Sequence, residues 1–171
     1  MVNLKLSFKA TLQNVTDLRP SGDDFEYFFQ VKCTHCNEVH PNWVGVNATE
    51  ERELQGSRGS ANFVWKCQLC KRESSASFLE NTKVLPYTAE DAENQLFAPL
   101  IVLDCRGLEF IAFDPKGTWE CKSTQSTTVF DSVEFEEGEW IDYDEKGKCE
   151  VGVNTIESKW EVDTGGKKKK K

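Results

Sequence analysis

The chain has 171 residues, enough for one domain or for two small halves sharing a core. Its apolar content of 38 % supports a core, but the longest apolar run, "APLIVL" at 98–103, falls far short of the roughly 20 residues a membrane-spanning helix needs. Net charge is −8, and setting aside the +5 of Lys167 to Lys171 leaves −13 for residues 1–166, a body that repels a phosphate backbone and is not expected to bind nucleic acid.

In chain order, Leu4, Leu6, Phe8, Ala10 and Leu12 alternate with Lys5, Ser7, Lys9, Thr11 and Gln13, the period of a half-buried strand. This opening has no continuous apolar stretch and no small-residue cleavage site, so no signal peptide is expected. The sequons at 14–16 and 47–49 are then expected to stay unused. "LRPSGDD" at 18–24 reads as a turn. Phe25, Tyr27, Phe29 and Val31 alternate with polar residues in a second strand that runs into Cys33. "NWVGV" at 42–46 is a short third strand, and "QGSRGS" at 55–60 is a loop. Ala61, Phe63, Trp65 and Cys67 then alternate, and "SASFL" at 75–79 leads away from them.

"TAEDAENQ" at 88–95 predicts a helix of one or two turns, capped by Thr88 with Asp91 three residues on and bracketed by Pro86 and Pro99. Beyond it, strands are predicted at 100–105, 108–113, 118–123, 128–135, 139–143 and 151–160. About ten short strands with turn signals between them predict a mostly β fold, sandwich-like or barrel-like, with little helix. The expected division is a β-rich half at 1–87, a connector at 88–97, a second β-rich half at 98–162 and a disordered polybasic tail at 163–171. "LQNVTDLRP" at 12–20 and "LEFIAFDP" at 108–115 share an apolar pattern and are each followed by a glycine, which suggests that the halves are related.

Seven cysteines stand at 33, 36, 67, 70, 105, 121 and 149. Four of them form "KCTHC" at 32–36 and "KCQLC" at 66–70, both at the ends of amphipathic strands. Two such knuckles can close a tetrahedral Zn²⁺ site, and the metal ligands are expected to be Cys33, Cys36, Cys67 and Cys70, with one zinc per chain. Lys32, Lys66, Lys71 and Arg72 would offset the −2 of a Zn(Cys)₄ centre. A redox pair would need a helix after the motif and would leave the other pair unexplained. Two disulfides would need an oxidising compartment. Strong knuckles often place Gly after the second Cys; here Asn37 and Lys71 hold those places, and Lys accepts a left-handed backbone reluctantly. His35 and His40 lie beside the first pair and are expected to be bystanders.

Taken together, "ATLQNVTDLRP" at 10–20, "KCTHCNE" at 32–38, "GSRGSANFVWKCQLCKRE" at 56–73, "PYTAEDAEN" at 86–94, "DCRGLEF" at 104–110 and "WIDYDEK" at 140–146 closely resemble the eukaryotic CXXC-motif-containing zinc-binding protein family. The resemblance runs to about Trp160 and leaves out the lysine tail. It implies two similar β halves, one zinc on Cys33, Cys36, Cys67 and Cys70, and no established catalytic activity. Where the family usually has Pro after "CRGLE", this chain has Phe110, which is expected to change a turn or strand edge.

Four thiolates close the zinc shell, and a catalytic zinc keeps a position open, so the site reads as structural. The enzyme alternative is a zinc-stapled thiol reductase like the B-type methionine sulfoxide reductases, with Cys105 beside Arg106 as nucleophile and Cys121 resolving it. A buried structural role for Cys105 is the expectation. The acidic stretch 131–145 fails as a calcium loop, because Lys146 and Val153 occupy the fifth and twelfth places counted from Asp142. It reads as a solvated strand edge or as a docking face for a basic partner. The chain is expected to be a monomeric, non-enzymatic adaptor of the cytoplasm, with the nucleus as a second compartment and with protein partners its sequence does not identify.

Overall fold

The computed structural model describes residues 2–55, 59–79 and 84–163. The lysine tail from 167 onward and the centre of the expected loop at 55–60 lie outside the described residues.

The opening alternation forms β1 (Val2–Gln13), with Leu4, Leu6, Phe8 and Ala10 buried. Asn14 then takes a left-handed conformation, φ 56°, and the chain enters β2 (Val15–Pro20). The turn expected at 18–24 therefore starts later: Leu18 and Pro20 are buried strand residues, held by the core they face. Next come β3 (Glu26–Cys33), β4 (Val44–Asn47), β5 (Arg52–Glu53), β6 (Ser60–Ala61), β7 (Phe63–Lys66) and β8 (Glu73–Phe78). The helix α1 (Ala89–Glu93) carries the capping box its sequence predicts: Thr88 Oγ1 accepts from the Asp91 N–H at 3.1 Å, and the Asp91 carboxylate accepts from the Thr88 N–H at 3.2 Å. It is five residues long and buries none of them.

The second half runs β9 (Ala98–Arg106), β10 (Leu108–Asp114), β11 (Trp119–Ser123), β12 (Val129–Val133), β13 (Trp140–Asp144) and β14 (Cys149–Val162). The fold is mostly β, as the alternation implied. The strands outnumber the expected set because β2 hides in a turn-like composition and β5 and β6, two residues each, are too short to show a period.

The strand orders are β13-β14-β1-β9-β8-β7, β12-β11-β2 and β10-β3-β4, with β5 paired to β6. Exchanging β1 with β9, β2 with β10, β3 with β11, β4 with β12, β7 with β13 and β8 with β14 maps the six-stranded sheet onto itself and the two three-stranded sheets onto each other. The halves are therefore similar units about a pseudo-two-fold axis that passes between the central antiparallel strands β1 and β9. Each of these three sheets draws strands from both sides of the connector, so the segments 1–87 and 98–162 share one core.

The apolar match between 12–20 and 108–115 is out of register with the structural equivalence. The left-handed joints, Asn14 and Gly107 (φ 77°), are the equivalent points, so Val15 corresponds to Leu108. Pairing agrees, since Val15 lies opposite Ser123 and Leu108 opposite Cys33, the last residues of the equivalent strands β11 and β3.

Aromatic rings fill the shared core. Phe29 packs against Phe110 and Trp160, with ring centroids 4.7 and 4.9 Å away, and Phe8 stacks on Trp119 at 5.4 Å. Phe110 is on edge strand β10, where a change of strand edge was expected, but its ring is buried in the core.

Candidate metal centre

Strand β3 delivers Cys33 and β7 leads directly to Cys67, the first thiol of each pair. After each, the chain makes the same tight turn. The N–H of Cys33 donates to the Glu38 carbonyl at 2.9 Å, and its carbonyl accepts from the Asn37 N–H at 2.9 Å. The N–H of Cys67 donates to the Arg72 carbonyl at 3.0 Å, and its carbonyl accepts from the Lys71 N–H at 2.9 Å. Asn37 and Lys71 are both left-handed, at φ 64° and 65°, so the lysine closes its knuckle with the geometry of the asparagine.

The four sulfurs converge. Cys33 and Cys70 Sγ are 3.7 Å apart, Cys36 and Cys67 Sγ are 3.5 Å apart, and all four lie within 4.8 Å of one another. Zn–S bonds of about 2.3 Å in a tetrahedron require S–S edges of about 3.8 Å, so the donor set and its spacing fit one zinc. Cys33 and Cys67 are buried, while Cys36 and Cys70 sit at the rim. The Cys70 N–H points at Cys67 and, against burial, joins the Leu69 N–H and the thiols of Cys36 and Cys70 in lowering its pKa to about 7. At Cys36 the Glu38 N–H lowers the pKa, but burial and the neighbouring thiols prevail and push it up to about 12. Four sulfurs this close cannot all ionise without a cation among them.

Two of the four expected cations have other partners. Lys32 reaches Glu109 at 3.6 Å, and Arg72 Nη1 donates to His35 Nδ1 at 2.9 Å. His40 Nδ1 accepts from the Asn42 N–H at 3.0 Å, and neither histidine joins the sulfur cluster. One contributor escaped the sequence reading. The Gly107 carbonyl accepts from the Thr34 N–H at 3.1 Å and from Ser74 Oγ at 3.0 Å, tying the first knuckle, and strand β8 just after the second, to the β9–β10 joint. The only signal for it was a glycine directly after a strand.

The remaining cysteines lie apart from the metal cluster. Cys105 and Cys121 are buried, and each thiol is pushed up to about 12, first by burial and then by neighbouring carboxylates. In the acidic stretch, Asp131, Glu134, Glu136, Glu137, Glu139, Asp142 and Glu145 are exposed. Asp144 is not. It is fully buried, which removes it from the surface on which the sequence had placed it.

The sequence profile described as "CXXC motif containing zinc binding protein, eukaryotic" matches residues 5–161. The human CXXC motif containing zinc binding protein is 40 % identical over 156 residues, covering 91 % of this chain and 96 % of that one. Its Xenopus laevis namesake is 40 % identical over 160 residues, covering 94 % and 98 %. The crystal structure of C1orf123 superposes with a TM-score of 0.85 at 37 % identity, over 94 % of this chain and 99 % of that one. A hypothetical protein from Plasmodium falciparum shares the fold, with a TM-score of 0.79 at 24 % identity over 95 % and 100 %.

Proposed function

This chain belongs to the eukaryotic CXXC-motif-containing zinc-binding protein family, and from that premise we propose that it is a non-enzymatic adaptor, stapled by one zinc, whose second half docks a basic partner protein. The observation that carries the docking reading is the edge strand β13. Its Ile141 and Tyr143 are 71 % and 51 % exposed, two residues apart and so on one face of the strand, with exposed Glu139 and Glu145 at its two ends and exposed Asp142 between them in sequence. Exposed apolar side chains on a strand with exposed carboxylates at both ends suit a partner that supplies apolar contact and cations together.

Two observations support the non-enzymatic part. Four thiolates complete a tetrahedral shell, and Cys105 is a buried thiol whose raised pKa disfavours the nucleophilic thiolate. All seven cysteines are free, in keeping with a reducing compartment such as the cytoplasm. No helix among the described residues is long and apolar enough to cross a membrane.

The test is an affinity capture with the intact protein. It is compared with a variant reversing Glu139, Asp142 and Glu145 to Lys, and with a control reversing Asp23, Asp24 and Glu90. A partner lost only with the first variant, and lost from the wild type at high salt, supports docking through β13. Equal capture by all three sinks it.

A further inference from the structure

We infer that the second half holds a metal-free counterpart of the zinc centre, in which the buried Asp144 carboxylate, gripped by Ser123, Ser126 and Thr128, closes two knuckles that an ion closes in the first half.

The frames match at four points, although Thr127, the counterpart of Asn37, is not left-handed. Ser123 ends β11 as Cys33 ends β3, and its N–H donates to the Thr128 carbonyl at 2.9 Å, five residues on, as that of Cys33 does to Glu38. The next residue matches too: the Thr124 N–H donates to the Asn14 carbonyl at 2.9 Å, and the Thr34 N–H donates to Gly107. Asn14 and Gly107 are the left-handed joints between β1 and β2 and between β9 and β10. In the other knuckle Asp144 ends β13 and pairs with Cys149, five residues on, as Cys67 bonds Arg72. Lys148, four residues after Asp144, is left-handed at φ 52°, as is Lys71 four residues after Cys67. Cys33, Cys36, Cys67 and Cys70 therefore correspond to Ser123, Ser126, Asp144 and Gly147.

The side chains at these positions converge as the sulfurs do. Asp144 Oδ2 accepts from Ser123 Oγ at 2.5 Å and from Ser126 Oγ at 2.6 Å. Oδ1 accepts from Thr128 Oγ1 at 2.9 Å and from the N–H groups of Lys146 and Gly147, both at 3.1 Å. Those amides are two and three residues on, the offsets at which the Leu69 and Cys70 amides serve the Cys67 sulfur. Ser123 and Ser126, and then the backbone and Thr128, outweigh burial and hold the Asp144 carboxyl far below the usual carboxylate range. No Lys or Arg among the described residues pairs with it, so hydroxyls and amides alone carry the charge.

The fourth position explains why one half has a carboxylate and the other has thiols. A Cβ on Gly147 would lie 2.5 Å from Asp144 Oδ2 and 2.9 Å from the Gln125 Cβ. The carboxylate fills the place of the fourth ligand, so it and a side chain at 147 exclude one another. A buried anion satisfied by five donors fixes the two turns without an ion. Strand β13, which carries the exposed Ile141 and Tyr143, is thus held in shape whether or not zinc is bound.

The decisive variant of the full chain is Ser123→Cys/Ser126→Cys/Asp144→Cys/Gly147→Cys, with zinc per chain measured after dialysis. Two zinc ions per folded chain, against one for the wild type, is the expected result; one zinc in a folded variant overturns the inference. Asp144→Asn keeps the question open to test if that variant does not fold. Hydrogen exchange should then rise at 123–128 and 144–149, with zinc content unchanged and 33–38 and 67–72 still protected. Unchanged exchange at 144–149 overturns the inference, and so does a rise spread evenly over both halves, the behaviour of an ordinary core residue.

Discussion

Asn37 and Lys71 take the same left-handed backbone, φ 64° and 65°, each one residue past the second cysteine of its knuckle. An L-residue there costs roughly 1–2 kcal/mol, less for Asn, whose short polar side chain tolerates it. Lys71→Gly should relieve that strain and stabilise the zinc-loaded protein by up to about 1 kcal/mol, net of the extra freedom gained by the unfolded chain. Asn37→Gly should gain less, and Lys71→Val should lose stability. Thermal melts of the three variants check the order; a lower melting temperature for Lys71→Gly would show that the cation matters more than the backbone.

Zinc removal should act on one half. The ligands bind as thiolates, so protons compete with the metal and affinity falls as pH falls. Chelation at neutral pH should expose the amides of 33–38 and 67–72, which the knuckle bonds protect, and leave 123–128 and 144–149 protected. Cys67→Ser/Cys70→Ser should lose essentially all bound zinc. Mass-resolved hydrogen exchange with and without chelator reads both statements. A wild-type chain that exchanges identically in the two conditions would mean that the four sulfurs do not hold the first half.

The four-cysteine cluster was legible because two C-x-x-C pairs at strand ends, with no helix behind either, have few uses other than meeting around one ion. The strands were legible wherever one face met the core and the other met water, as in β1 and β3. Strand β2 was not, because Pro20 and the glycine after it spell a turn, while burial of Val15 and Leu18 decides for a strand. The internal duplication was visible only as a faint motif in the wrong register, since the equivalence rests on left-handed joints and bulges that Asn14 and Gly107 serve with different residue types. Asp144 looked like one surface acid among many. Nothing in "DYDEK" says that three hydroxyls from another hairpin would enclose it.

The buried thiols give an alkaline limit. Cys105 and Cys121 are raised to about 12, so folding keeps them protonated where the unfolded chain would ionise them near 8.5. A raised pKa contributes stability in full below the unfolded value, and that stability is lost as pH climbs through the folded one. The protein should therefore weaken between about pH 9 and pH 12. At pH 8 pulsed alkylation should label Cys149, which is half-buried, well before either of them. If Cys105 reacts as fast as Cys149, a thiol-based activity at Cys105 gains the support that the docking reading loses.

Phe110→Ala should cost about 3–5 kcal/mol, because the ring sits between Phe29 and Trp160 and smaller side chains cannot close the cavity it would leave. Urea denaturation of the zinc-loaded protein measures the loss. Because β10 pairs with β3 as far as Cys33, the same variant should release zinc to a chelator faster than wild type. A cost below about 1 kcal/mol would place Phe110 outside the shared core.

Gly147→Ala probes the second half without replacing the carboxylate. Its φ lies outside the left-handed region, so the backbone accepts alanine, and the cost falls on the 2.5 Å approach to Asp144 Oδ2. Either the carboxylate swings away from Ser123 and Ser126, or the turn between β13 and β14 shifts; crowding of this kind typically costs about 1–3 kcal/mol. Gly138→Ala is the control. It has open space around the new methyl group but a positive φ of 80°, so it pays only the backbone term of roughly 1–2 kcal/mol. The two variants should differ in where they loosen the molecule. Gly147→Ala should speed exchange at 123–128 as well as at 144–149, because the displaced carboxylate releases both hairpins, while Gly138→Ala should affect only its own turn. Exchange that rises at 144–149 and stays fixed at 123–128 in Gly147→Ala would mean that the hydroxyls of Ser123 and Ser126 hold their hairpin without Asp144.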